Sequence, residues 1–277
     1  MSHLKPTNDF VFKKIFGETK NEDILKDLLS AILTDIKIHK VTVNKDVSLE
    51  RKLITDKLGI LDVVATLNNG IIVNIEMQIN NYENTIERSL FYGAGIFHEN
   101  LHSGQRYLDA PRTISIWIAN YDIFSEGPFH ERAMLKRDYE NIILTDKMEF
   151  HYIQLSKFKK KCKRISSKLE QWLQFIINDN LEEIKMSDNK YIKKAEEELE
   201  YLTGDEEARR LAYLREKAIR DEQSALITAT RKGIAEGKLE GKLENQKEIA
   251  KKMLTKNVDI NLIIEFTGLS KEQIEKL

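Results

Sequence analysis

The chain has 277 residues, with 44 Lys or Arg against 45 Asp or Glu, which gives a formal net charge of −1. This balance excludes a uniformly basic nucleic-acid-binding protein, so a DNA-binding surface would need a local concentration of positive charge. The single cysteine, Cys162, excludes an intramolecular disulfide framework and a cysteine-cluster zinc site, and no apolar run approaches the roughly 20 residues of a membrane span.

The beginning of the chain predicts two helices and a strand. The first six residues lack the apolar core of a signal peptide, so we expect a cytoplasmic protein. Thr7 or Asn8 is suited to cap a short first helix. An apolar stripe predicts a second helix from Glu22 to Leu33, and alternation from Lys37 to Leu49 favours a strand.

Residues 60–79 predict a β-hairpin. Two β-branched apolar runs flank Asn68-Asn69-Gly70, and Asn and Gly tolerate the positive φ angles of a tight turn. Folding about this turn sets Asp62 opposite Ile75 or Glu76. Because side chains alternate along a strand, Glu76 and Gln78 share a face. One face of the hairpin therefore carries two carboxylates and a carboxamide.

The two acids of the hairpin, Asp62 and Glu76, interrupt strands that otherwise suit a protein core. Burying a carboxylate costs several kcal/mol unless its charge is compensated, and a divalent cation would compensate it. The alternative is that both acids lie on a solvated face. The hairpin alone leaves these two interpretations open.

Residues 82–102 predict a helix with two distinct features. Arg88 and Tyr92 are one helical turn apart and share a face, where Arg88 is either an ordinary surface charge or a group directed at the carboxylates or a DNA phosphate. Five apolar residues at helical spacing are expected to pack on the sheet: Ile86, Leu90, Phe91, Ala94 and Phe97.

Two further strands are predicted, over residues 112–119 and 148–155, separated by a polar loop that contains Gly127-Pro128. The order of helix, strand, hairpin, helix, strand, loop and strand suits an α/β sandwich with a mixed sheet.

A basic cluster follows the last strand. It consists of Lys157, Lys159, Lys160, Lys161, Lys163 and Arg164. Such a run is either solvated surface or a patch that contacts phosphates and positions DNA without reading its sequence. The apolar segment from Trp172 to Ile176 should then dock back on the core.

The remaining sequence is rich in charge and helical in pattern. Residues 187–231 predict long helices that form an arm for a partner chain, and a four-residue glycine repeat follows, as a helix or a linker. Ser270 and Gln273 fit a capping box in a tail that resembles a helix-turn-helix fragment and would contact DNA or protein. We therefore expect a first domain over 1–160, a charged helical extension over 161–231, the repeat over 232–248 and a small helical tail over 249–277.

The hairpin and its flanking segments resemble a known family. Asp62, a hairpin and then Glu76-x-Gln78 resemble the PD-(D/E)xK nuclease signature, in which the final Lys is sometimes replaced by Gln. The other matching segments are Asn8–Gly17, Leu61–Val63, Ile75–Gln78 and Arg88–Tyr92. Together they resemble the recombination-promoting nuclease and transposase-like family of bacteria, over residues 5–159.

The resemblance implies a fold and an activity. The fold is an α/β restriction-endonuclease-like αβββαβ core with a mixed central sheet, followed by an all-α C-terminal extension. The activity is metal-dependent DNA endonuclease hydrolysis of phosphodiester bonds, which promotes recombination or is linked to mobile elements. The alternative is a catalytically inactive member that binds DNA or protein, and a homodimer through the helical C-terminal region is a further hypothesis.

The resemblance also implies roles for individual residues. The catalytic residues would be Asp62, Glu76 and Gln78, with Mg²⁺ (or Mn²⁺ in its place) held by Asp62, Glu76 and the backbone carbonyl of Met77. Auxiliary residues would be Asp9, Lys13, Arg88 and Tyr92. Gln78 departs from the signature lysine and carries no charge, so electrostatic help must come from Arg88 or Lys13. Leu61 also stands where the signature has Pro.

Overall fold

In a computed structural model of the protein, the described residues are 3–44, 62–81, 84–101, 103–161, 165–177 and 187–277. The chain forms two compact units, Met1–Arg215 and Glu216–Leu277. Each is described by itself below.

The first unit is built on a mixed six-stranded sheet. Its strands are β1 (Val41–Asn44), β2 (Val63–Leu67), β3 (Ile72–Gln78), β4 (Thr113–Ala119), β5 (His130–Met134) and β6 (Met148–Gln154). Their order across the sheet is β1-β2-β3-β4-β6-β5. The pairs β3–β4 and β4–β6 are parallel, and the other three pairs are antiparallel. This confirms the predicted α/β fold with a mixed central sheet.

The described helices follow the predicted order. They are α1 (Asp9–Phe16), α2 (Glu22–Ile32), α3 (Thr85–Glu99), α4 (Leu155–Lys161), α5 (Lys168–Ile177), α6 (Lys190–Gly204), α7 (Glu206–Leu254), α8 (Ile260–Thr267) and α9 (Lys271–Glu275). The side chain of Asn8 caps α1 by accepting hydrogen bonds from the backbone N–H groups of Phe10 and Val11, which satisfies donors left free at a helix start.

The main core lies between one face of the sheet and helices α1, α2, α5 and α6. Phe16, Trp172 and Phe175 meet at its centre with ring centroids 5.7 to 6.5 Å apart, in edge-to-face arrangements. The indole Nε1 of Trp172 donates to Asp27 at 3.0 Å, so its polar group is satisfied in the core. The prediction that this apolar segment docks back on the core is confirmed.

The compact unit extends to Arg215, beyond the boundary expected at residue 160. Helix α6, which the sequence assigns to a charged extension, buries Ile192, Leu199 and Leu202 in the main core. A charged helix with one apolar stripe can cover a core as well as form an arm, and here it covers the core.

Helix α3 packs on the opposite face of the sheet, but not through the predicted residues. Its buried residues are Thr85, Ser89, Gly93 and Ile96. A Cβ built on Gly93 would lie 2.9 Å from Cε1 of Phe150, so the missing side chain permits the close approach of helix and sheet.

The predicted packing of the apolar stripe of α3 is therefore wrong. Ile86, Leu90 and Phe91 are exposed, Phe91 by 61%; Ala94 is exposed and Phe97 is only half-buried. The sheet face beneath α3 carries aromatic and polar groups, among them the hydroxyl of Tyr152, 2.7 Å from that of Ser89. A small and hydroxylated helix face fits that surface better than a bulky apolar one.

Strand β5 was not predicted, because its five residues fall in a segment that reads as a polar loop. Only one of its two edges is paired, to β6, and none of its residues is fully buried. A half-exposed edge strand needs no apolar alternation. The predicted strand over 37–49 is seen as β1 up to Asn44, and the rest of it lies outside the described residues.

In the second unit, α8, α9 and the C-terminal end of α7 enclose a small core of Ala250, Ile263, Leu269 and Ile274. The predicted capping box is confirmed, because Ser270 and Gln273 each accept from the other's backbone N–H. The glycine repeat is helical and lies within α7. No helix in the described residues is long and apolar enough to cross a membrane.

Candidate active site

The β2–β3 hairpin brings the two predicted acids together. The turn is a short 3₁₀ segment, Asn68–Gly70, in which Gly70 adopts a φ of 76° that favours glycine. Val63 pairs with Ile75, so the next residue outward, Asp62, comes opposite Glu76. Of the two registers left open by the sequence, the structure adopts the one that pairs the acids.

Glu76 lies deep in the sheet and is 2% exposed. Its carboxylate accepts a hydrogen bond from Nδ2 of Asn74 at 3.2 Å. Burial and the charge of Asp62 raise the pKa of Glu76 well above its usual range, against smaller opposing effects of Asn74, the Asp62 backbone N–H and Arg88. The protein interior therefore disfavours the charged form of this side chain.

Asp62 is half-buried beside the first helix, and its Oδ2 accepts from the backbone N–H of Met77 at 2.8 Å. Burial raises its pKa to about 7, the charge of Asp9 adds to the rise, and Arg215 and Lys13 oppose it. The charge of Asp62 raises the pKa of Glu76 and the charge of Asp9 raises that of Asp62, so the site has a local excess of negative charge, which a cation would relieve.

Gln78 accepts a hydrogen bond from Arg88, which lies against two aromatic rings. Nη1 of Arg88 donates to Oε1 of Gln78 at 3.3 Å, and the guanidinium carbon lies 5.7 Å from the ring centroid of Tyr92 and 5.6 Å from that of Trp117. The two rings stack with centroids 5.9 Å apart. Arg88 is thus held between the aromatic pair and the hairpin.

Met77 contributes its backbone to the site. The carbonyl of Gln78 accepts from Asn120 at 2.9 Å, on the β4 side. Because backbone groups alternate between neighbours along a strand, Met77 turns its own N–H and C=O to the side of Asp62. Its carbonyl oxygen therefore lies on the same side of the strand as Asp62, where the metal ion is predicted to bind.

Three of the four predicted auxiliary residues act on the charge of the pair, and the fourth, Tyr92, contacts Arg88. Asp9, in the first turn of α1, pairs with Nε of Arg215 and also acts on Asp62, as does Lys13. Arg88 lies over Tyr92, as described above. The structure brings these groups together, and their catalytic roles remain predictions.

Three contributors were missed in the sequence. Asn74 precedes Glu76 by two residues, so alternation alone places it on the same face, and its Oδ1 is buried with no hydrogen-bond partner in the described part of the chain. Trp117 pairs with Glu76 across β3 and β4, which requires knowledge of the strand order. Arg215 comes from the start of α7, about 200 residues from Asp9, and no local signal indicates it.

The basic cluster on α4 is largely engaged within the protein. Lys157 is only 4% exposed and donates to the backbone carbonyl of Glu126, so it is not available to DNA. Lys160 pairs with Asp122 at 2.9 Å and Lys161 donates to the carbonyl of Gly127 at 2.7 Å.

The rest of this cluster adds little to a phosphate-binding surface. Lys159 is exposed but also makes an interaction within the protein, and Lys163 and Arg164 lie outside the described residues. The cluster therefore ties α4 to the preceding loop, and Lys157 corrects the expectation that the whole run contacts phosphates.

A metal site made only of His, Cys, Asp and Glu side chains is not present among the described residues. No group of three or more His, Cys, Asp or Glu side chains there is arranged to hold an ion. The Asp62–Glu76 pair would need backbone or amide oxygens to complete a ligand set. Met77 and Asn74 are the residues at the pair that carry such oxygens.

Comparisons with known proteins identify the family of the chain. Residues 6–229 match the model described as PD-(D/E)XK nuclease family transposase, and residues 243–277 match the Rpn/YhgA-like nuclease family, C-terminal HTH domain. No curated protein and no solved structure matches the chain significantly. Because the first match covers most of the chain, the resemblance inferred from the sequence is confirmed, and the protein belongs to the PD-(D/E)XK nuclease family transposases.

Proposed function

We propose that this protein is a metal-dependent DNA endonuclease that hydrolyses phosphodiester bonds at the Asp62–Glu76 pair. One observation carries the proposal: the buried Glu76 and the half-buried Asp62 lie opposite each other with raised pKa values, and no cationic side chain in the described residues forms an ion pair with either. A site that disfavours its own negative charge is suited to a divalent cation.

The donor set fits Mg²⁺. This ion prefers oxygen ligands, and the two carboxylates and the carbonyl of Met77 would supply them. The unpartnered Oδ1 of Asn74 is a further oxygen of suitable chemistry beside Glu76. Mn²⁺ accepts similar ligands and would substitute. When bound, the ion supplies polarisation of the scissile phosphate and acidification of water.

Gln78 and Arg88 would act on the substrate together. A guanidinium only donates, so Arg88 fixes Oε1 as the end of the Gln78 amide that faces it. The amide NH₂ is then left to donate to water or to a phosphate oxygen. Arg88 supplies the positive charge that the signature lysine would carry, from a position fixed by the rings of Tyr92 and Trp117.

Residues of the first helix would adjust the pKa of Asp62. Asp9 raises the pKa of Asp62, and its own ion pair with Arg215 keeps a cation nearby that opposes the rise, as Lys13 does. We infer that Asp9 positions Arg215 rather than binding the ion itself. Charged groups on and beside this helix therefore adjust the charge of Asp62 without binding the ion.

The substrate we propose is DNA, and the biological setting is DNA recombination or the movement of mobile elements in bacteria. A nuclease-family region and a helix-turn-helix region in one chain support DNA as the partner. Because such DNA lies in the cytoplasm, we propose that the protein acts there.

A second candidate is a catalytically inactive member of the family that binds DNA or protein. It is favoured by the uncharged Gln78 in place of the signature lysine and by the small number of acidic ligands. An inactive member that binds DNA would match the nuclease in DNA binding, so a cleavage assay is needed to separate the two candidates.

The test is nicking of supercoiled plasmid by the full chain with Mg²⁺, with Mn²⁺ and with EDTA. Glu76→Gln runs beside wild type, and Asp109→Asn, which removes an exposed surface acid, is the matched control. We expect cleavage that needs the metal and Glu76 and survives in the control. Equal cleavage by Glu76→Gln would contradict the proposed site, and DNA binding without cleavage in any condition would favour the inactive binder.

A further inference from the structure

The amide of Asn74 is buried on the face of the sheet that α3 covers. Asn74 is 0% exposed and follows Ile72 by two residues on β3, and Ile72 packs against Ile96 of α3. Because side chains alternate along a strand, Ile72, Asn74 and Glu76 share this face. Nδ2 of Asn74 donates to Oε1 of Glu76 at 3.2 Å, so the amide lies directly beside the candidate site.

The other end of this amide has no hydrogen-bond partner. Oδ1 of Asn74 is buried and makes no hydrogen bond in the described part of the chain. On the neighbouring strands, Asn74 pairs with Val64 of β2 and Ser115 of β4. Val64 is apolar, and the hydroxyl of Ser115 accepts from Nε1 of Trp117 at 3.0 Å. A buried acceptor without a donor is costly, so this oxygen is suited to a ligand that brings a donor.

The orientation of the amide follows from the charge of Glu76 when a cation is bound. An ionised carboxylate only accepts hydrogen bonds, so Asn74 must direct its NH₂ group to Glu76, which leaves Oδ1 as the other end of the amide. Mg²⁺ usually keeps several of its waters, and these waters can donate hydrogen bonds. The hydrated cation would therefore supply the contact that Oδ1 lacks.

The carboxylate of Glu76 has room for both the amide and a cation. Two hydrogen-bond donors act on it, the Asn74 amide and the Asp62 backbone N–H, whereas a carboxylate has about four acceptor sites. Side chains that hydrogen-bond to a metal ligand fix its orientation. Asn74 can therefore hold Glu76 in one orientation without occupying all of its acceptor sites.

Two amides flank Glu76 on the same face of β3, and their surroundings differ. Gln78 is half-buried and accepts a hydrogen bond from Arg88 at 3.3 Å. Asn74 is fully buried and donates to Glu76 itself. A substrate phosphate reaches a half-buried amide more readily than a buried one. The two residues therefore suit different roles, Gln78 toward the substrate and Asn74 toward Glu76.

We propose that Asn74 is a positioning residue of the Asp62–Glu76 site. Its Nδ2 holds the Glu76 carboxylate in the orientation that binds the cation, and its Oδ1 accepts a hydrogen bond from the hydrated cation. This role rests on the proposed metal-dependent function and deepens it, because Asn74 lies outside the signature of Asp62, Glu76 and Gln78. Substitution of Asn74 should change the affinity for the cation and leave the metal-free protein folded.

Titration of the metal-free full chain with Mn²⁺, with free Mn²⁺ measured by electron paramagnetic resonance, tests this role. Asn74→Leu keeps the branching of the side chain and removes both polar ends, and Asn74→Ala removes them without a larger replacement. Both variants should raise the Mn²⁺ dissociation constant by about 10- to 100-fold, the usual effect of losing a hydrogen-bonded neighbour of a metal ligand. Saturating Mn²⁺ should restore part of the plasmid cleavage that these variants lose.

Thr113→Val is the matched control. Thr113 is 2% exposed, and its Oγ1 is also buried without a hydrogen-bond partner in the described residues. It pairs with Ile72, which lies about 13 Å along the strand from Glu76. This variant should bind Mn²⁺ as the wild type does. Urea unfolding in EDTA shows whether each variant is folded without the metal.

Failure of this role and failure of the proposed function give different results. A wild-type chain that binds no Mn²⁺ would overturn the metal-dependent function and the role of Asn74 with it. Binding by the wild type with an unchanged dissociation constant in both Asn74 variants would overturn only the role of Asn74. Equal weakening in Thr113→Val, or loss of the metal-free fold in both Asn74 variants, would also overturn it, because Asn74 would then act on the fold.

Discussion

Two buried glutamates in the same sheet have pKa values that are shifted in opposite directions. Glu76 is 2% exposed and Glu149 is 0% exposed, yet the pKa of Glu76 lies well above its usual range and that of Glu149 falls to about 2. Around Glu149, hydrogen bonds from His151, Arg112 and Arg132 outweigh the effect of burial. Around Glu76, the charge with the largest effect is that of another carboxylate, Asp62.

The comparison shows that burial of an acid does not by itself mark a functional site. Glu149 is compensated within the protein by Arg112 and Arg132 and fastens β4, β5 and β6 together. Glu76 and Asp62 have no such partner among the described residues, and this missing compensation suits a ligand. The structural acid and the candidate catalytic acid therefore differ in their counter-charges.

Substitution of Glu76 should affect activity far more than stability. Glu76→Gln should reduce plasmid cleavage by on the order of a thousandfold or more, because the site loses a charge that would hold the metal. The same change should not destabilise the metal-free protein, since it removes an uncompensated charge. Initial cleavage rates and urea unfolding of the same preparations test both parts.

Substitution of Glu149 should instead lower the stability of the protein. Glu149→Ala leaves Arg112 and Arg132 without their buried partner and should lower the free energy of unfolding by about 3 to 5 kcal/mol. Urea unfolding measures this, with Asp109→Asn as a control for loss of an exposed ion pair. A loss below about 1 kcal/mol would mean that the cluster is not a structural fastening.

Arg88 is a cation whose charge acts on Glu76. Arg88→Ala should lower kcat about 10- to 100-fold with little change in KM, because the charge acts on the transition state. Arg88→Lys should recover only part of the rate, since lysine lacks the planar guanidinium group that lies against the rings of Tyr92 and Trp117. Equal losses in both variants from a raised KM alone would assign Arg88 to DNA binding.

The smallest effect is a dependence of stability on pH. The pKa of Glu149 is about 2 in the folded protein against an ordinary 4.5, so its contribution is complete above about pH 4.5 and is lost as pH falls toward 2. Burial, with His151 and Arg132, lowers the pKa of His130 from 6.5 to about 4, which acts in the same direction. Glu149→Gln should flatten the acid limb of the melting-temperature profile, and an unchanged limb would contradict this account.

Local signals are sufficient to predict the hairpin and insufficient to predict its surroundings. The Asn-Asn-Gly turn and the alternation of side chains along the chain are enough to place Asp62, Glu76 and Gln78 on one face. Strand order, which sets Trp117 beside Glu76, and the distant contribution of Arg215 depend on tertiary contacts. The exposed stripe of α3 was mispredicted for a related reason, because periodicity identifies an apolar face without saying what it covers.

If the Asp62–Glu76 pair binds a divalent cation, the melting temperature of the full chain should change as Mg²⁺ is added at pH 8. Binding to the folded state alone raises stability with ligand concentration. We predict a rise for wild type and for Glu149→Gln, and none for Glu76→Gln. An equal rise in all three proteins, or none in any of them with either Mg²⁺ or Mn²⁺, would contradict the account.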